Sequence, residues 1–189
     1  MLVGLVLVAM GVSGCSDGGE RPSGSVTVAS PTETYSGGTA GVLLPPTLPP
    51  AASEHTVAGA EAAFRHFLDL YAYAFAAADP DPLRNVCSAE SEFCKSTISA
   101  VEGLRGRDRR FKGAGFTNRL VVGTPTGDPD QVVIRAAFDQ TQAVLVSYPD
   151  GATLKTEKAV KGAGMDSRLS WDGFRWVIVK LTVDPEKTK

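Results

Sequence analysis

The alternation of apolar and polar residues changes its rhythm repeatedly along this chain, and each change predicts an element. Leu2 to Met10 is one apolar run, closed by Val12-Ser13-Gly14-Cys15. It is shorter than the roughly 18–20 residues a bilayer-spanning helix needs and has the length of a signal-peptide apolar core. Met1-Leu2-Val3 carries no basic residue, unlike the usual start of such a signal. From Ser16 to about Ala52 no rhythm survives: Gly, Ser, Thr and Pro dominate, ending in Pro45-Pro46-Thr47-Leu48-Pro49-Pro50. Such a stretch cannot bury an apolar face, so residues 15–52 are expected to form a disordered tether. As a flexible coil of about 35 residues it would span roughly 30–35 Å, with the proline-rich end acting as a stiffer spacer.

A helical period then begins. Thr56 is placed to cap a helix whose apolar stripe is Phe64, Phe67, Leu68, Tyr71, Ala74, Phe75 and Ala78. Asp79-Pro80 stops it, because proline disfavours helical geometry in the residue before it. Asp81 and Pro82 start a short second helix that should run to Cys87, and Ser91 caps a third through Cys94, Ile98, Val101 and Leu104. From Gly113 the period becomes two. Phe116 to Val122 reads as a strand, and Gln131 to Tyr148 as one bent strand or two joined by a bulge at 139–142. Ala152 to Gly162, with Lys155, Lys158 and Lys161, reads as an exposed loop. Strands at 163–171 and 174–183 flank an Asp172-Gly173 hairpin. Val177, Val179 and Leu181 face one way and Trp176 and Ile178 the other, which predicts a central last strand.

Helices followed by an antiparallel sheet make an α+β domain over residues 53–185. Three N-terminal helices packed on a curved antiparallel sheet of about four strands resemble the nuclear-transport-factor-2-like cone. That resemblance implies a sheet curled around the first helix, with a pocket at the cone's mouth.

Composition sharpens the front of the chain. Val12-Ser13-Gly14-Cys15 resembles the lipobox of bacterial lipoproteins, which implies removal of residues 1–14 as a signal peptide and diacylation of Cys15. The chain has three cysteines. With Cys15 lipidated, Cys87 and Cys94 remain as an even pair, and export to an oxidising compartment favours one disulfide between them. Their spacing is not the Cys-x-x-Cys of a redox site, and zinc would need two further ligands where His55 and His66 are the only histidines.

A second resemblance covers more of the chain. Leu48-Pro49-Pro50, Gly59-Ala60-Glu61-Ala62-Ala63-Phe64, Leu68-Asp69-Leu70, Tyr71-Ala72-Tyr73-Ala74 and Asp81-Pro82-Leu83-Arg84 look like a family of uncharacterised lipoproteins of high-GC Gram-positive bacteria. The chain departs in its cysteine spacing, six residues lying between Cys87 and Cys94 where the family's pair is usually closer. The family implies location and fold but no activity.

A net charge of −2 and a pI near 5.7 give no overall attraction to nucleic acid, and none is expected as a partner. The charge is segregated: Ser53–Glu92 carries seven acids against two bases, and Cys94–Arg119 seven bases against two acids. The basic stretch Arg105 to Lys112 is read as a solvated loop. Lys112-Gly113-Ala114-Gly115 recurs as Lys161-Gly162-Ala163-Gly164, and in both places the glycines are expected to make a tight entry into a strand. For proton-transfer chemistry the candidates are His66, Asp69 and Tyr73 on the first helix, with His66 and Tyr73 sharing a face. An Arg65–Asp69 pair at i, i+4 is the plainer use of Asp69. Serine-hydrolase elbows, metal-ligand sets and phosphate loops are absent from the sequence, so no metal or cofactor is expected. The sequence therefore reads as a non-enzymatic binding or accessory module, anchored to the outer face of the cell membrane by a diacylglyceryl-cysteine and partnered by an envelope protein. The alternative is a small-ligand carrier or enzyme using the cone pocket.

Overall fold

The computed structural model describes residues 43–184. The expected signal peptide, Cys15 and most of the expected tether lie outside the described residues. Three helices, α1 (Val57–Ala77), α2 (Asp81–Arg84) and α3 (Glu92–Arg105), precede seven strands. These are β1 (Arg109–Lys112), β2 (Phe116–Pro125), β3 (Gln131–Gln140), β4 (Ala143–Ser147), β5 (Thr153–Glu157), β6 (Val160–Trp171) and β7 (Trp176–Asp184). The strands form a four-stranded antiparallel sheet in the order β2-β3-β6-β7 and a three-stranded one in the order β1-β4-β5. The class is the expected one, helices packed on a curved antiparallel sheet, with the second sheet as an addition. No helix among the described residues is long and apolar enough to cross a membrane.

Helix α1 starts where the sequence places it. The Thr56 hydroxyl accepts a hydrogen bond from the Gly59 N–H at 2.9 Å, satisfying one of the first-turn donors that a helix cannot pair internally. Its end is marked by Ala78, which takes a left-handed conformation with φ 54° ahead of Asp79-Pro80. Burial runs almost around the helix, from Phe64, Phe67, Leu68 and Tyr71 on one side to Ala63, His66, Leu70 and Tyr73 on another. The sheet supplies the facing layer through Val121, Val132, Ile134, Ala136, Phe138, Leu169 and Ile178. Helix and sheet approach closely at Gly123, whose N–H donates to Glu61 Oε1 at 2.8 Å. A Cβ there would stand 2.7 Å from Val57 Cγ1.

Several expectations are corrected. Asp81 is the first residue of α2 rather than its cap, and the Asp79 carboxylate accepts from the Asp81 N–H at 3.1 Å. Helix α2 ends at Arg84, short of Cys87. The continuous alternation from Gln131 to Tyr148 is divided between two sheets: β3 pairs with β2 and β6, β4 with β1 and β5. The basic stretch contains a strand, β1, and the lysine-bearing stretch after Gly151 contains β5. Strand β7 is the sheet's edge, not its centre. A register shift opposite Val179 also turns Leu181 inward with Trp176 and Ile178, because one extra residue inverts the alternation. The stretch read as the tether's end is ordered from Leu43: Pro50–Ser53 form a 3-10 turn and Ala52 is buried.

Candidate functional site

The space between α1 and the sheets is filled by aromatic rings. Phe64 and Phe67 have centroids 5.7 Å apart, and Phe67 lies 6.4 Å from Phe93 of α3. Tyr71 sits 4.8 Å from Phe75 and 5.8 Å from Phe116, which in turn is 4.8 Å from Phe138. Phe75 reaches Phe111 of β1 at 5.9 Å. Burial holds the Tyr71 phenol well above the ordinary tyrosine range, so it stays protonated and apolar in character. These rings pack against one another where the cone's pocket was expected.

The three candidate proton-transfer residues are not brought together there. Asp69 turns to β2 and pairs with Arg119 at 2.5 Å. The expected Arg65–Asp69 pair is not the one that forms: Arg65 pairs with Glu61 at 3.4 Å and donates to the Val121 carbonyl at 3.1 Å. Tyr73 donates its hydroxyl proton to Asp79 Oδ2 at 3.0 Å. His66 is only 5% exposed and borders a groove of about 430 Å³ on the α2 side of the helix. Pro45, Pro46 and Leu48 form one wall of that groove, and Leu70, Val86 and Trp176 contribute others. Asp79 borders it too, so His66 and Tyr73 do share a side of α1, as their seven-residue spacing requires.

Burial pushes the His66 imidazole below its ordinary value, against the upward pull of the Asp69 carboxylate. Desolvation disfavours the charged form, so the ring is neutral near pH 7. A neutral imidazole offers one donor and one acceptor. Among the described residues no hydrogen bond from the protein reaches either ring nitrogen.

The proline-rich spacer reading missed the Pro45–Leu48 wall. Its signal was Leu48, an apolar residue among prolines directly before the first helix. A second cluster was also missed. His55 stacks on Trp171 at 4.8 Å with its plane 12° from the indole and pairs with Asp130 at 3.0 Å. Trp176 Nε1 donates to the Glu54 carbonyl at 2.9 Å. Together they tie the chain before α1 to the β6–β7 hairpin.

Cys87 and Cys94 are joined in a disulfide with Cα atoms 6.0 Å apart, inside the range an unstrained bridge spans. Arg84 and Glu102 form an ion pair across the same α2–α3 corner. Both that pair and Asp69–Arg119 join the two segments, but only Asp69–Arg119 pairs an acid of the acidic segment with a base of the basic one. In β1, Arg110 lies 3.8 Å over the Tyr148 ring, a stacking that employs one residue of the basic stretch within the fold. Among the described residues no group of three or more His, Cys, Asp or Glu side chains could hold a metal ion.

A sequence profile of the family of unknown function DUF6318 matches residues 44–182. The chain belongs to that family. The matched span begins in the Pro45–Leu48 wall, so the groove lies within what the family profile covers. No curated relative matches the chain in sequence. Solved structures also match the chain. The intermembrane space region of the chloroplast protein ARC6 superposes with a TM-score of 0.54 at 15% identity, covering 68% of this chain and 95% of that one. An NTF2-like protein of unknown function in nutrient uptake from Rhodospirillum rubrum gives 0.40 at 14% identity, covering 68% and 97%. A cystatin-like protein of unknown function from Nostoc punctiforme gives 0.36 at 10%, covering 65% and 89%. At 15% identity the likeness to the ARC6 region speaks to fold alone.

Proposed function

We propose that this member of the DUF6318 family is an exported lipoprotein, anchored by a diacylglyceryl group on Cys15 to the outer face of the cell membrane. Its folded part serves there as a binding or accessory module for an envelope protein rather than as an enzyme. The observation that carries the reading is the use of the three cysteines. Two close a disulfide, a bond that persists in oxidising compartments. The third ends an apolar run of signal-peptide length and precedes a stretch rich in Gly, Ser, Thr and Pro. The reading as a module is supported by the aromatic rings between α1 and the sheets and by the separate destinations of His66, Asp69 and Tyr73. Growth of producing cells with a labelled fatty acid tests the anchor. The wild-type protein should take up label and fractionate with membranes, and Cys15→Ala should do neither. A wild-type protein without label would overturn the proposal.

A further inference from the structure

The groove over His66 lies on a different side of α1 from the Phe64, Phe67 and Tyr71 rings. Its volume of about 430 Å³ falls within the range of small-molecule sites. Leu48, Leu70, Val86 and Trp176 make its walls largely apolar. The charged groups on its border are already engaged. Asp79 accepts from the Tyr73 hydroxyl and from the Asp81 N–H, Asp81 pairs with Arg84, and Arg175 pairs with Asp172. His66 differs from all of them. It is 95% buried by its 5% exposure, and no hydrogen bond from a described residue reaches it. Its ring nitrogens are not among the fully buried polar atoms that lack a partner, so they open on the groove, where a ligand's hydroxyl can take the place of solvent.

We propose that this groove is a binding site for an uncharged, largely apolar small molecule carrying a hydroxyl group that hydrogen-bonds His66. The absence of a charge on the ligand follows from the paired state of every carboxylate and guanidinium named above. The hydroxyl follows from the imidazole, because an O–H both donates and accepts and so serves either ring tautomer. The flat indole of Trp176 and the Leu48 and Leu70 side chains would hold the apolar body. The Pro45–Leu48 segment then acts as a wall of the site as well as the route into the domain. This goes beyond the membrane-module reading and does not rest on the Cys15 anchor.

The test uses the purified full-length chain with 2-naphthol as probe and naphthalene as the same body without the hydroxyl. Binding of 2-naphthol should shift the His66 imidazole 15N resonances and should be about tenfold tighter than that of naphthalene, the net value of about one hydrogen bond. His66→Phe should abolish the preference while retaining naphthalene binding. Leu48→Asp, at a half-exposed position that should tolerate the change in folding, should weaken both probes. Equal affinity of the wild type for the two compounds, or unmoved His66 resonances at saturating 2-naphthol, would overturn the proposal even if His66→Phe failed to fold.

Discussion

Cys87 lies in parallel register beside Ile178, so the loop closed by the disulfide is laid along the open edge of the sheet. The Ile178 N–H donates to the Val86 carbonyl, and the Ser88 N–H donates to the Ile178 carbonyl, both at 2.9 Å. An uncovered edge strand offers unpaired backbone groups to any other chain. In this protein the α2–α3 connection takes those groups at Ile178, near the start of β7, and the Cys87–Cys94 bond holds the connection in place.

Replacing both cysteines by serine should therefore act in two ways. The loop-entropy model gives a loss of about 2.5 kcal/mol for a closed loop of this length, readable as a lower urea midpoint. Amide exchange at Ile178 should also accelerate more than exchange at the buried centre of β3. An unchanged midpoint would show that the bond contributes nothing to the folded state.

Glycines at two places in the helices should respond to alanine with opposite signs. A Cβ on Gly59 would stand 2.0 Å from the Glu54 carbonyl oxygen, a backbone atom that cannot step aside. The steric cost should outweigh the helix-propensity gain, and Gly59→Ala should lose about 1–3 kcal/mol. At Gly103 the nearest atom is the end of the flexible Arg107 side chain at 3.0 Å. Gly103→Ala should thus be neutral or stabilising by up to about 1 kcal/mol. Paired denaturation curves decide it.

The pH dependence follows from His66. Its folded value lies below the ordinary 6.5 because of burial, which outweighs the opposing Asp69 carboxylate. Asp79 and Asp81 from the α1–α2 corner and Arg175 at the start of β7 border the same groove. Between the folded and unfolded values the unfolded chain binds more protons. The stabilising contribution is thus fully present above about pH 6.5 and is lost as pH falls from there toward the folded value. Urea midpoints at a series of pH values should fall from pH 7 toward pH 5, and more steeply in the wild type than in His66→Gln. Parallel slopes would contradict a buried neutral imidazole.

What the sequence displayed depended on how local its cause was. Thr56 and Ser91 were legible as caps because a cap needs only the residues of its own first turn. The repeated glycines were expected at a tight entry into a strand, and Gly113, with φ of 78°, turns the chain ahead of β2; Gly162 has φ of 65°. Gly162, however, sits inside β6 at the register shift opposite Asp139, not at a strand's entry.

Strand β1 was hidden because its partner, β4, lies far along the chain, and β5, although it follows β4 directly, because it is largely exposed and shows no apolar face. Phe111 is the one apolar residue in β1, and only the fold reveals that it meets Phe75. The break between β3 and β4 was masked because the alternation keeps its phase across Thr141-Gln142. It is fixed from outside, the Thr141 N–H donating to the Gly115 carbonyl at 3.0 Å.

The candidate site was half legible. Helical spacing placed His66 and Tyr73 on one side of α1, but which wall that side would face depended on the Pro45–Leu48 segment, whose composition reads as spacer.

The most direct test of the central claim is the intact mass of the protein purified from the membranes of its own cells. The account predicts a chain that begins at Cys15, carries a diacylglyceryl group and lacks the two hydrogens lost when Cys87 and Cys94 join. A mass that retains residues 1–14, carries no lipid, or shows both thiols reduced would contradict it.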